Sequence, residues 1–184
     1  LSLSFILVGF GTKVGFAPVH AWLPDAHSES PSPVSALLSG TLLNAALLGV
    51  LRGSKLLKLA GLEAYVSQLL LLMGFLSLFV SAVFILRIEN YKRMLAYSSI
   101  ENMGIIAIGL GCGGLGIFAA MLHLTAHSLM KASLFLTSGN IQHRYHSKHI
   151  GDVRGLLNTD KITGWLWIFS FIAIAGIPPF PLFL

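Results

Sequence analysis

Long windows of this chain carry almost no charge, and that restricts its fold more than any other feature. Pro33 to Leu51, Ala64 to Leu86, Gly116 to Leu136 and Ile162 to Leu184 are uncharged or nearly so. Each is long enough to cross ~30 Å of hydrocarbon as an α-helix, which takes about 20 residues. Inside a bilayer no water is available to the backbone, so windows of this length fold as helices that satisfy their own N–H and C=O groups. Overall composition agrees: 55% of residues are hydrophobic and 10% charged, where a soluble domain carries roughly 25% charged residues.

Two further spans are interrupted. Residues 1–23 contain Lys13, Pro18 and His20, and residues 93–111 contain Glu101. With spans at about 33–51, 64–86, 116–139 and 162–184 they make about six crossings of one all-α, polytopic membrane domain. Pro18 lacks a backbone donor and crowds the carbonyl four residues earlier, so the first helix is expected to break near Val14. "GIPPFP" close to the other end points to a second broken helix. Ser32-Pro33 reads as an N-cap followed by proline at the first helical position, and "GLGCGG" as a tight hairpin between the fourth and fifth spans. "NIQHRYHSKHIGDVRGLLNTDK" is the one substantial polar segment. The chain starts at Leu1 and stops at Leu184, both within hydrophobic segments, and is read as a fragment of a longer subunit.

The formal charge of +5 does not mark a nucleic-acid surface, because the basic residues lie between helices without interleaved aromatics. It marks topology instead. Arg87, Lys92, Arg93, Arg144, Lys148, Arg154 and Lys161 fall on one side, and Arg52, Lys55 and Lys58 in the loop opposite, which places the first set in the cytoplasm. With a single cysteine, Cys112, the chain cannot by itself ligate an iron–sulfur cluster or a thiolate-bound nickel–iron centre. Neither a catalytic residue nor a cofactor or metal site is assigned to it.

The informative polar residues sit inside the apolar spans. In "HLTAHSLMKASLFL", His123, His127 and Lys131 recur at steps of four. On a helix such steps advance ~6 Å each and drift by ~40°, so the three side chains share one gently winding face. A charge at mid-membrane depth is costly, and such residues usually face the bundle interior and mark proton or ion paths. One intramembrane histidine is commonly a hydrogen-bond partner between helices, and a lysine near a helix end commonly snorkels. Three at this register form a row able to exchange protons near neutral pH. Lys13, beside the expected helix break, is a candidate proton site because freed backbone in membranes faces protein or a water-filled cavity. Glu101 falls near the middle of its span and needs a counter-charge: Lys131, Lys13 or a histidine. His143, His146 and His149 recur every third residue, but in the polar loop, where a solvated basic segment is the better account than a metal site.

Taken together, "KVGFAPVHAWLPDAHSESPSPVSALLSG", "YKRMLAYSSIENMG", "HLTAHSLMKASLFLTSGNI" and "IAGIPPF" resemble the proton-conducting membrane subunits shared by complex I, Mrp-type antiporters and group 4 membrane-bound nickel–iron hydrogenases. "SSIENMG" and the "SGTLLN" ending in Asn44 most resemble the hydrogenase-4 component F and formate hydrogenlyase type. The resemblance implies an antiporter-like fold with inverted repeats, each with a broken helix. Lys13 would match the family lysine of the first broken helix, and His123, His127 and Lys131 the central proton axis. Asn44 stands where complex I members often carry lysine or histidine.

The expected function is proton translocation by a subunit of a redox-driven complex in a prokaryotic cytoplasmic membrane, a hydrogenase, formate hydrogenlyase or NADH:quinone oxidoreductase. Lys13, His123, His127 and Lys131 would carry the path, with Glu101 as electrostatic partner. Nickel–iron and iron–sulfur centres would sit in partner subunits, and the partners would be other membrane and peripheral subunits, the lipid bilayer and protons. A sodium/proton antiporter subunit and a non-conducting structural subunit are the alternatives.

Overall fold

The computed structural model describes residues 2–180 and 182, with side chains from Phe5 onward. Regular structure among these residues is helical, apart from an isolated antiparallel bridge between Asn90 and His149. In chain order the helices are α1 (Ser2–Val14), α2 (Trp22–Glu29), α3 (Ser32–Leu37), α4 (Leu43–Leu59), α5 (Glu63–Ile85), α6 (Tyr91–Cys112), α7 (Leu115–Tyr145), α8 (Leu156–Thr159) and α9 (Lys161–Ile174). A π-helical turn, Leu38–Leu42, joins α3 to α4 without a bend out of the helix, giving one continuous segment from Ser32 to Leu59. A short 3-10 turn at Ile150–Asp152 precedes α8.

Among the described residues three helical segments are long and apolar enough to cross a membrane: Ser32–Leu59, Glu63–Ile85 and Tyr91–Cys112. At 31 residues α7 is the longest helix, about 46 Å at 1.5 Å per residue, but His123, His127 and Lys131 lower its hydropathy and it falls outside that set. α1 and α9 are shorter apolar helices.

The helices differ in depth. In the most apolar window of α6, 61% of residues are buried, against 22% for α5, so α6 is the central helix and α5 a peripheral one. Leu72, Phe75, Phe79 and Val83 form an exposed stripe at helical spacing on α5, the face such a helix turns to lipid. Its other face meets α6 very closely. A Cβ at Gly74 would stand 2.8 Å from the Gly104 carbonyl oxygen, and one at Gly104 2.9 Å from that of Gly74. Small residues at such a crossing let backbones approach within van der Waals contact, the main attraction between helices in lipid. α6 packs in turn on α7, α7 on α9 and α3, α1 on α4, and α2 on α6.

The first helix ends at Val14, but the agent is Gly15 rather than Pro18. Gly15 adopts φ +86°, the left-handed region that L side chains avoid. Its N–H reaches the Thr12 carbonyl at 3.3 Å and that of Phe16 reaches the Gly11 carbonyl at 2.9 Å, closing the last turn. Pro18 then prevents the chain from resuming a helix at once. The freed polar groups are taken up by protein: the Ala17 N–H donates to Ser77 Oγ of α5 at 3.0 Å, and the Trp22 indole N–H donates to the Thr12 carbonyl.

Other boundaries shift for local reasons. Ser32 is not an N-cap; Pro31 occupies that position without a side-chain cap, and Ser32 Oγ instead lies 3.5 Å from Ser138 Oγ of α7. Arg52, Lys55 and Lys58 lie on α4 rather than in a loop, where their long stems keep the charges at the helix end. Lys92 belongs to the first turn of α6 and is buried. The hairpin at Gly113-Gly114 forms as the glycine run implies, with both residues at positive φ. α9 stops at Ile174, and Gly176 at φ +70° precedes the Pro178-Pro179 pair.

Candidate proton pathway

The row on α7 faces α6. His123, His127 and Lys131 lie on successive turns of α7, and the antiparallel α6 presents Asn102 to the first and Leu95 and Ser98 to the last. Lys131 is wholly buried. Its ammonium donates to the Leu95 carbonyl at 2.7 Å and to Ser98 Oγ at 2.7 Å. An ammonium has three protons, so these two neutral acceptors leave one donor for exchange. The Leu95 carbonyl also accepts Ser99 Oγ at 3.2 Å.

His123 is half-buried and its Nε2 lies 2.8 Å from Asn102 Oδ1. The Asn102 amide nitrogen donates to the Ser98 carbonyl at 2.7 Å, which fixes Oδ1 towards the imidazole, so Nε2 is the donor and carries the proton. His127, between the two, is fully buried, and neither ring nitrogen has a hydrogen-bond partner among the described residues. It lies in the electrostatic field of both Lys131 and His123.

A cavity of about 340 Å³ opens beside this row, lined by Ser98, Glu101, Asn102 and His123 together with apolar residues of α6, α9 and the segment after it. At ~30 Å³ per water molecule it is roomy enough for several, with polar partners to hold them. Ser98 and Glu101 are one turn apart on α6, so the hydroxyl that holds Lys131 and the carboxylate share the cavity wall. The Glu101 carboxylate acts electrostatically on the Lys131 ammonium. His123 also lines a second cavity of about 250 Å³ between α6 and α7, and so stands between the two.

Lys13 is placed elsewhere. It closes α1, which packs on α4, and no residue of α1 lines the cavity. Its side chain is exposed, with the ammonium 5.8 Å from the centroid of the Trp22 ring. Of the five residues singled out by sequence, His123, His127 and Lys131 follow one another along α7, Glu101 and His123 line the same cavity, and Lys13 stays at the helix break.

Several contributors carry little signal in sequence. Ser98 and Asn102 are unremarkable alone, though "SSIEN" does place Ser98, Glu101 and Asn102 at i, i+3 and i+4. Asn44 Nδ2 donates to Ser128 Oγ at 2.7 Å and to the Gly40 carbonyl at 2.7 Å, which links α4 to α7 one residue beyond His127. Gly40 lies in the π-helical turn, a distortion frequent at functional sites.

A model of the NADH:quinone oxidoreductase/Mrp antiporter transmembrane family matches residues 1–184. The chain belongs to this family. It is 45% identical over 181 residues to a Hydrogenase-4 component F homolog of Methylacidiphilum infernorum (isolate V4), covering 98% of this chain and 38% of that relative. Among solved structures it resembles a chain of the membrane-bound sulfane sulfur reductase, an archaeal respiratory membrane complex, at TM-score 0.85 and 27% identity, covering 98% of this chain and 37% of that one. A chain of respiratory complex I from Thermus thermophilus matches at TM-score 0.77 and 28% identity, covering 98% and 39%. The family chain thus spans less than two fifths of each of these relatives and is an integral membrane, all-helical piece of the antiporter-like fold.

Proposed function

We propose that this chain forms the central part of a subunit that moves protons across the membrane, driven by electron transfer in neighbouring subunits of a hydrogenase-4-type assembly. The observation that carries the reading is Lys131: a buried ammonium held, among the described residues, by a carbonyl and a hydroxyl, beside a cavity lined by Glu101 and His123. In this reading Lys131 takes and releases the proton, Ser98 and cavity water connect it to Glu101 and His123, and His127 completes the row along α7. Glu101 stabilises the charged lysine, and protonation of either alters the field at the other. Lys13 acts as a proton-loading site at the helix break. Asn44, through Ser128, joins the break-side helices to the row.

The redox chemistry belongs to partners. Nickel–iron and iron–sulfur centres would lie in peripheral subunits, and other membrane subunits would flank this one. The test uses the full-length protein in its assembled complex, reconstituted in vesicles. Lys131→Met and Lys13→Met are expected to lower proton translocation to background, with the complex still assembled; normal translocation in both variants overturns the proposal. The family description also names Mrp antiporters. Sodium-dependent proton exchange in vesicles free of redox partners would replace the redox-driven reading with an antiporter one.

A further inference from the structure

A second buried histidine lies outside the row. His27 of α2 is fully buried and neither ring nitrogen has a hydrogen-bond partner among the described residues. Its ring stacks on Phe135 of α7, one turn beyond Lys131, with centroids 4.7 Å apart and planes 12° from parallel. A phenylalanine would stack there equally well, so the contact does not explain why an imidazole occupies the position. Buried polar atoms are nearly always partnered, so two bare nitrogens on one ring are costly and call for a role.

The surroundings give direction to that exchange. Lys131 and Lys92 are the two cations whose fields reach His27. Lys92, buried in the first turn of α6, donates to the Ser30 carbonyl at 3.2 Å and feels Lys148 and Glu29 in turn. Glu29 is exposed, and Lys148 donates to the Ser28 carbonyl at 2.7 Å on the same basic face. Two hydroxyl pairs lie in the same region: Ser30 Oγ lies 2.7 Å from Ser35 Oγ, which donates to the His27 carbonyl at 3.1 Å, and in the π-helical turn Ser39 Oγ lies 3.0 Å from Ser99 Oγ, which donates to the Leu95 carbonyl that also holds Lys131. Each hydroxyl both donates and accepts, so the two pairs put polar groups at either end of the route.

Resting on the proton-translocation reading, we propose that His27 is a proton-transfer group joining Lys131 to the basic face of the membrane past Lys92 and Glu29. In the transfer step the imidazolium of His27 gives its proton to the neutral amine of Lys131, leaving neutral imidazole and ammonium; His27 is then reprotonated from the Glu29 side. Lys92 stays charged throughout. Burial first, and then the nearby cations Lys131 and Lys92, disfavour the imidazolium, so His27 holds a proton in passage and does not store it.

The test uses the full-length protein in its assembled complex in vesicles, with Lys131→Met as reference. His27→Phe keeps the stack on Phe135, and His27→Gln keeps hydrogen bonding without a titratable nitrogen. Both are expected to cut proton translocation at least tenfold. After a pH jump read by an indicator dye, they are expected to slow proton uptake from the basic side and leave uptake from the opposite side unchanged. If Lys131→Met fails to conduct while His27→Gln conducts as the wild type does, the His27 route is overturned and the function stands. If Lys131→Met conducts normally, the His27 route falls, and if Lys13→Met does so as well the function falls with it. Should His27→Phe not assemble, His27→Gln alone decides: retained flux overturns the route, and one-sided loss supports it.

Discussion

Two lysines were marked out by the same reasoning, and the fold treats them in opposite ways. Lys131 is enclosed between α6 and α7, with both its acceptors supplied by α6. Lys13 ends α1 in the open, over the face of Trp22, where a cation and an indole attract by about 0.5–1 kcal/mol. An enclosed ammonium must be held by its neighbours at each moment, so its charge is coupled to Ser98, Glu101 and the cavity. An open one depends on them far less. Equal residue type therefore does not mean equal role: Lys131 is a site shaped by its surroundings, and Lys13 a site shaped by its position at a helix break.

The contrast gives a ranked set of outcomes. Lys131→Met should have the largest effect on flux, reducing translocation to background. It should lower thermal stability of the assembled complex, because removing the ammonium leaves Glu101 without its counter-charge and the Leu95 carbonyl and Ser98 without their donor; flux assays and thermal melts on one preparation check both. Lys131→Arg keeps the charge but overfills a closed site, with an expected loss of about 1–3 kcal/mol and no recovery of flux. Asn102→Leu removes the acceptor of His123 Nε2 and should cost about 1 kcal/mol, with a partial loss of translocation. Lys13→Arg should be the mildest, within about 0.5 kcal/mol of the parent in denaturation, since the open side chain can lengthen freely. A large destabilisation by Lys13→Arg and none by Lys131→Arg would reverse the comparison.

Much of the fold was legible because membranes leave few choices. Uncharged windows mark helices, and steps of four mark a face, so the row His123, His127, Lys131 could be placed against a partner helix before the partner was known. Helix ends were less legible. Apolar length does not reveal that α7 runs on through "NIQHRY" to Tyr145 or that α4 carries Arg52, Lys55 and Lys58, because charged residues with long stems prolong a helix into the headgroups without loss. The first break was expected from Pro18, yet Gly15 makes it; a glycine in sequence does not announce which hand its backbone will take. In the site, titratable groups stood out and their holders did not. Ser98, Asn102 and Ser128 are common polar residues whose meaning depends on the facing helix, and the burial of His27 and Lys92 is not written in their own segments: His27 stacks on Phe135 of α7, and Lys92 reaches from α6 to the Ser30 carbonyl.

The account's central claim is that a wetted, hydrogen-bonded path connects Lys131 with Glu101 and His123 inside the bundle. A structure of the full-length protein in its complex, at a resolution that shows ordered water, tests this most directly. It should show water in the cavity of about 340 Å³ bonded to Ser98, Glu101 and His123. A cavity filled by apolar side chains from the rest of the protein, with Lys131 walled off from Glu101, would contradict it.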